Sequence, residues 1–148
     1  MENNSHHPNR LGVWGWVGGG RWGYERYLYI LHRVSGLGLL TYFLLHIFVT
    51  SARISGQASW ASAMSQVDHP IFALGEYLVF AAFAFHAING VRLGMLELGF
   101  MVGRPIEPVY PYATSVGKQR PLAIVVMILA ALVVAWGGYD FLIIHKFL

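Results

Sequence analysis

Cysteine is absent from this 148-residue chain. Its absence excludes disulfides, thiolate catalysis, zinc–thiolate centres and cysteine-held iron–sulfur clusters on this polypeptide. Charge is also scarce: 11% of residues are charged and 56% hydrophobic, with a mean hydropathy of +0.52. A soluble domain averages about 25% charged residues, so this chain cannot cover itself with a charged surface, and lipid is the expected solvent for much of it. No internal repeat is evident, and the length suits one domain. The formal charge of +3 comes from basic residues scattered singly between apolar runs, a pattern that speaks for membrane topology and against nucleic acid. The opening stretch MENNSHHPNRLGVWGWVGGG has no basic start, apolar core and small-residue cleavage site, so the chain is expected to insert uncleaved. His6 and His7 read as part of a solvated tail.

Three long apolar runs are present. Val34 to Ala52 and Leu122 to Tyr139 carry no charge, and Ile71 to Val91 is interrupted only by Glu76. About twenty residues at 1.5 Å each cross a hydrocarbon core of about 30 Å. Backbone polar groups in lipid must be satisfied within the segment, so each run should be an α-helix. The expected class is therefore all-α and integral to the membrane. A single anchor domain spans 1–148, with an interfacial N-terminal segment at 1–28 and spans at about 29–52, 70–97 and 121–143. Pro70 and Pro121 stand at two helix entrances, where a missing N–H costs little.

Basic residues then give an orientation. Arg10, Arg21, Arg26 and Arg33 precede the first span, and Arg92, Arg104, Lys118 and Arg120 follow the second; only Arg53 and Lys146 lie opposite. The positive-inside rule puts the N-terminus and the 92–120 loop in the cytoplasm and the C-terminus across the membrane. The loop GRPIEPVYPYATSVGKQRP is too rich in proline to be a fourth span. Trp14, Trp16, Trp22, Tyr24, Tyr27 and Tyr29 form an interfacial belt. Small residues at Ser35, Gly36, Gly38, Gly90 and Gly94 allow close approach of another helix or a flat cofactor, and three helices alone make a meagre bundle. A partner is expected.

Ionisable residues inside membranes are costly and mark function. His69 falls in a loop and His145 beyond the third span, which leaves His32 at a boundary and His46 and His86 within spans. His86 lies six residues before Arg92, about 9 Å below the boundary that Arg92 is taken to mark. His46 lies thirteen residues after Arg33, about 20 Å down. The two rings are thus expected to differ in depth by about 10 Å and not to share one iron. His32 and His46 project from similar faces, about 40° apart. Gly90, one turn from His86, leaves room for something broad and flat, and haem b is the candidate that imidazole and a low-dielectric helical site suit. Its propionates would find donors in His32 and Arg33. A plain alternative stands beside this: each histidine serves only as a hydrogen-bond donor between helices, worth about 1 kcal/mol. Arg92 is read as a topology charge.

The stretches ILHRVSGLGLL and FHAINGVRLGMLELG resemble the cytochrome b membrane-anchor subunit of succinate dehydrogenases (succinate:quinone oxidoreductases), the C-type anchor of that family. The pattern H-R-x-S-G, followed about fifty residues later by H-x-x-x-G-I/V-R, carries the resemblance, which extends over roughly residues 24 to 145. It implies half of a helical bundle, completed by a second small membrane-anchor subunit, the D-type anchor. Together the two anchors hold an iron–sulfur subunit and a flavoprotein on the inner (cytoplasmic) membrane as respiratory complex II. Succinate is oxidised in the flavoprotein, not on this subunit, and electrons pass through the clusters to quinone. The resemblance implies that His86 is an axial ligand of haem b, that His32 and Arg33 contact its propionates, and that Tyr29, Ile30 and Arg33 line the quinone pocket. Many relatives have serine at the position of Tyr29, histidine at that of Leu93 and aspartate at that of Glu97. His46 resembles the extra span-one histidine of two-haem members, implying a second, distal haem. Alternatives of another class are a haem-free structural anchor and a small transporter, the latter disfavoured by the missing inverted repeat and by Glu76 lying near a helix start.

Overall fold

The computed structural model describes residues 23–101 and 116–144, and among them the fold is entirely helical. Helix α1 spans Tyr24–Thr50 and runs into a short 3-10 helix, Ser51–Ser55. Then come α2 (Gln57–Val67), α3 (Pro70–Glu97) and α4 (Val116–Tyr139), the last extended by a π-helical turn, Asp140–Ile144. Helices α1, α3 and α4 are long and apolar enough to cross a membrane. The chain is an all-α, multi-pass integral membrane protein. The interfacial tryptophans, most of the N-terminal segment, Arg104 and the proline-rich part of the loop lie outside the described residues.

Local chemistry explains most helix ends. Pro70 begins α3 as expected, and His69 caps it, its Nδ1 accepting from the Ile71 N–H at 3.3 Å. At the other end the Gly99 N–H reaches the Leu96 carbonyl and the Phe100 N–H reaches that of Met95, with Gly99 at φ 85°. That is a Schellman closure, which favours glycine because the left-handed backbone clashes with a side chain. Gly56, at φ 99°, makes the corner between the 3-10 helix and α2.

Two expectations change. Helix α2 is not foreshadowed by any apolar run; it fills the connection between the first two spans, with the Arg53 guanidinium 4.2 Å from the centre of the Trp60 ring. Helix α4 starts at Val116, so Pro121 sits inside it. Proline there withholds an N–H from the Gly117 carbonyl, so the second turn of α4 lacks one helical hydrogen bond.

Helix α3 is central, packing antiparallel against both α1 and α4. Its first half meets the end of α4: the Tyr77 hydroxyl donates to the Val134 carbonyl at 3.2 Å, and a Cβ on Gly137 would collide with the Phe80 ring. Its second half meets the start of α1. The beginnings of α1 and α4 join through Glu25 and Arg120 at 2.9 Å, with the Tyr24 hydroxyl on the Arg120 carbonyl at 3.4 Å. The buried core is thin and made largely of small side chains: Ala73, Ala84, Ala123, Val126, Ala130 and, on α1, Leu28. Large apolar side chains point outwards instead, with Phe48 79% and Trp136 74% exposed. That arrangement suits lipid or another apolar helix, since in water such a surface would aggregate.

Candidate functional site

The second half of α3 brings His86 against the first turns of α1. The rings of His32 and His86 stack with centroids 4.0 Å apart and planes 7° from parallel. Below them the backbone is bare: a Cβ on Gly36 would lie 2.8 Å from His86 Cε1, so glycine makes the seat for this ring. His86 Nδ1 lies 3.1 Å from the His32 carbonyl and 3.1 Å from Ser35 Oγ, and the serine hydroxyl donates to that same carbonyl at 3.0 Å. His86 Nε2 makes no hydrogen bond among the described residues. The ring opens on a groove of about 590 Å³ between α1 and α3, lined by Leu39, Phe43, Phe80 and Phe83 and reaching Glu76 at its far end. Cofactor and ligand sites have volumes of about 300–1,000 Å³ and such apolar walls.

Space beside Gly90, expected to admit a flat ligand, is met instead by His32, whose Cε1 would be 3.6 Å from a Cβ there. His32 and Arg33 are adjacent in sequence but diverge in space, because successive helical residues point about 100° apart. His32 turns inwards, and its Nδ1 is buried without a hydrogen-bond partner. Arg33 turns out, donates to the Tyr29 hydroxyl and lies 5.3 Å from the centre of that ring. Tyr29 is 50% exposed and Ile30 partly so. The structure therefore joins His32 to His86 and Tyr29 to Arg33 as two separate pairs.

His46 meets neither pair. It is exposed on α1, with the Tyr42 ring 5.6 Å away as its neighbour. Since His86 stacks on His32, fourteen residues before His46, the two candidate ligands are separated by about 21 Å along α1. The expected offset of about 10 Å was too small because it took Arg92 as a boundary marker. Arg92 is only 6% exposed and its Nε donates to Asn89 Oδ1 at 3.0 Å inside the bundle. Helix α3 continues five residues past it to Glu97, so Arg92 is packed inside the bundle and does not mark the end of the helix.

Asn89 is fully buried, and its Nδ2 has no partner. Sequence reasoning passed over it, although an amide within FHAINGVRLG is the kind of intramembrane polar group that signals an interior role. Unpaired buried atoms on Glu25, Arg26, His32 and Asn89 all belong to the same end of the bundle. Buried polar groups normally find partners, so this end is the part of the molecule left incomplete by the described residues alone.

An apolar-faced helical membrane chain with its polar interior gathered around a histidine pair is the class these features define. Residues 13–135 match the family model described as succinate dehydrogenase/fumarate reductase transmembrane subunit, and the chain belongs to that family. It is 29% identical over 87 residues to the succinate dehydrogenase 2 membrane subunit SdhC of Mycobacterium tuberculosis, covering 58% of this chain and 54% of that one. It is 30% identical over 106 residues to the succinate dehydrogenase hydrophobic membrane anchor subunit of Halobacterium salinarum, covering 71% of this chain and 70% of that one. The match thus spans about half the length of the mycobacterial relative. No solved structure matches the chain.

Proposed function

We propose that this chain is a haem b-bearing anchor subunit of succinate dehydrogenase, respiratory complex II, on the path from the iron–sulfur subunit to quinone. The family supports the assembly, and one observation carries the cofactor: His86 has its Nδ1 engaged by α1 while Nε2 is left without a partner beside an apolar groove. Metal-bound histidines characteristically commit their second nitrogen to a carbonyl or carboxylate in this way. His86 would hold the iron, and Arg33 with His32 would serve the propionates. Haem bound there supplies a one-electron relay in a low-dielectric setting.

Tyr29, Ile30 and Arg33 form the quinone edge. Arg33 donates to Tyr29, and a phenol in that position still offers the quinone a hydrogen bond where relatives offer a serine hydroxyl. A second anchor subunit covers the exposed faces of α1 and supplies further ligands. The flavoprotein and iron–sulfur subunits dock at the cytoplasmic end, where the positive-inside rule would put eight of the ten basic residues. The reading covers succinate oxidation and fumarate reduction alike, and ubiquinone or menaquinone as acceptor. A second haem at His46 is favoured by one observation, a histidine standing exposed on an apolar helix face about 21 Å from His86 along α1.

The test is the haem-to-flavin ratio of the isolated complex by pyridine haemochrome. One or two haems per flavin support the reading; none leaves the chain as a haem-free anchor.

A further inference from the structure

We propose that Ser35 and the main-chain carbonyl of His32 select the tautomer of His86, keeping its proton on Nδ1 so that Nε2 is the nitrogen offered to iron. This rests on the reading of His86 as a haem ligand. A neutral imidazole carries one proton, on either nitrogen, and only the bare nitrogen can bind a metal. The His32 carbonyl oxygen, 3.1 Å from Nδ1, can only accept. An unprotonated Nδ1 would set lone pair against lone pair.

Ser35 removes the remaining ambiguity. Its hydroxyl could in principle donate to Nδ1, which would force the proton to Nε2 and block the metal. The His32 carbonyl, 3.0 Å away and able only to accept, takes that proton in the arrangement we infer, and Ser35 Oγ then presents lone pairs to Nδ1 at 3.1 Å. Both neighbours of Nδ1 are then acceptors. A half-turn of the ring about Cβ–Cγ would put Cδ2 in the place of Nδ1 and break both contacts, and the ring is held between His32, stacked at 4.0 Å, and the bare backbone of Gly36. Ser35 is a positioning residue: it acts through His86 and need not touch the cofactor.

The experiment measures the rate at which the purified, assembled complex loses haem to excess apomyoglobin. Ser35→Ala should lose it about ten times faster, the low end of the 10–100-fold that ligand-supporting hydrogen bonds contribute to metal affinity. Ser35→Thr keeps the hydroxyl and should match the unsubstituted complex. A Ser35→Ala complex that holds haem as long as the unsubstituted one overturns the proposal, as does equal acceleration in both variants. If the unsubstituted complex contains no haem, or His86→Ala keeps an unchanged haem spectrum, the ligand reading itself fails and Ser35 loses its role with it. Should the alanine variant not assemble, a density map of the unsubstituted complex decides. Iron on Nε2 with Nδ1 in hydrogen-bond reach of the His32 carbonyl supports the proposal, and iron on Nδ1 overturns it.

Discussion

His86 and His46 are the same side chain set in similar apolar runs, yet the chain treats them in opposite ways. His86 is enclosed: a stacked ring, a carbonyl, a hydroxyl and a bare glycine fix it from several sides. His46 is exposed, with one tyrosine ring beside it and no hydrogen bond to its own ring among the described residues. An enclosed ligand is oriented by its own chain before any cofactor arrives, and preorganisation of this kind lowers the ordering cost of binding. An exposed one must be oriented by whatever covers it. On the proposed reading, the first site would belong to this subunit and the second would be completed at an interface.

Replacing each histidine breaks the comparison most directly. His86→Ala should abolish one haem per complex outright, read as a lost b-type absorbance band and a lower haemochrome value. His46→Ala should leave that band untouched and remove only a second one. Equal loss from both variants would mean that the two sites are not independent, despite their separation of about 21 Å along α1.

The two glycines of α1 extend the contrast to the backbone. In Gly36→Ala the new methyl meets Cε1 of His86 at 2.8 Å, and that ring is too constrained to swing aside. Overpacking of this kind costs about 1–3 kcal/mol, against which alanine recovers roughly 1 kcal/mol of helix propensity. The expected result is a lowered melting temperature of the solubilised complex together with a shifted haem spectrum. A melting change with the spectrum unmoved would separate Gly36 from the His86 seat.

Arg92 tests the enclosed region at its polar edge. Arg92→Leu leaves Asn89 Oδ1 buried without its donor, at a cost of about 1–3 kcal/mol for the unsatisfied group. Asn89→Leu made together with Arg92→Leu removes both partners and should recover part of that loss. No recovery in the double variant, measured by melting temperature, would show that the pair contributes nothing to stability beyond its separate members.

What the sequence made legible follows from range. Three spanning helices were legible because hydrophobicity over about twenty residues is a property of one segment, although α1 starts at Tyr24, well before its apolar run begins at Val34. His86 was legible as an oddity in an apolar run. Its stack on His32 was not, because that depends on how far α3 slides past α1, which no single segment encodes. Arg92 was misread for the same reason: an arginine next to a span looks alike whether the helix ends there or, as here, continues to Glu97. Helix α2 escaped notice because QASWASAMSQV is too polar and too short to read as a span, and its register against the 3-10 helix is set by Gly56 and by Arg53 on Trp60.

Gly38 carries the smallest expected effect and the most information about the exposed side. It lies two residues beyond Gly36, yet a Cβ there meets nothing within 4 Å, and Leu37 beside it is 67% exposed. For the chain by itself Gly38→Ala is therefore a gain, up to about 1 kcal/mol from helix propensity. Small residues on lipid-embedded helices let another backbone approach closely, so a partner helix seated there would meet the new methyl and reverse the sign. With the second anchor subunit on this face, Gly38→Ala should slightly lower both the melting temperature and the recovery of that subunit in the purified complex. A small rise in melting temperature with full recovery would mean that lipid covers the position and that the partner sits elsewhere on α1.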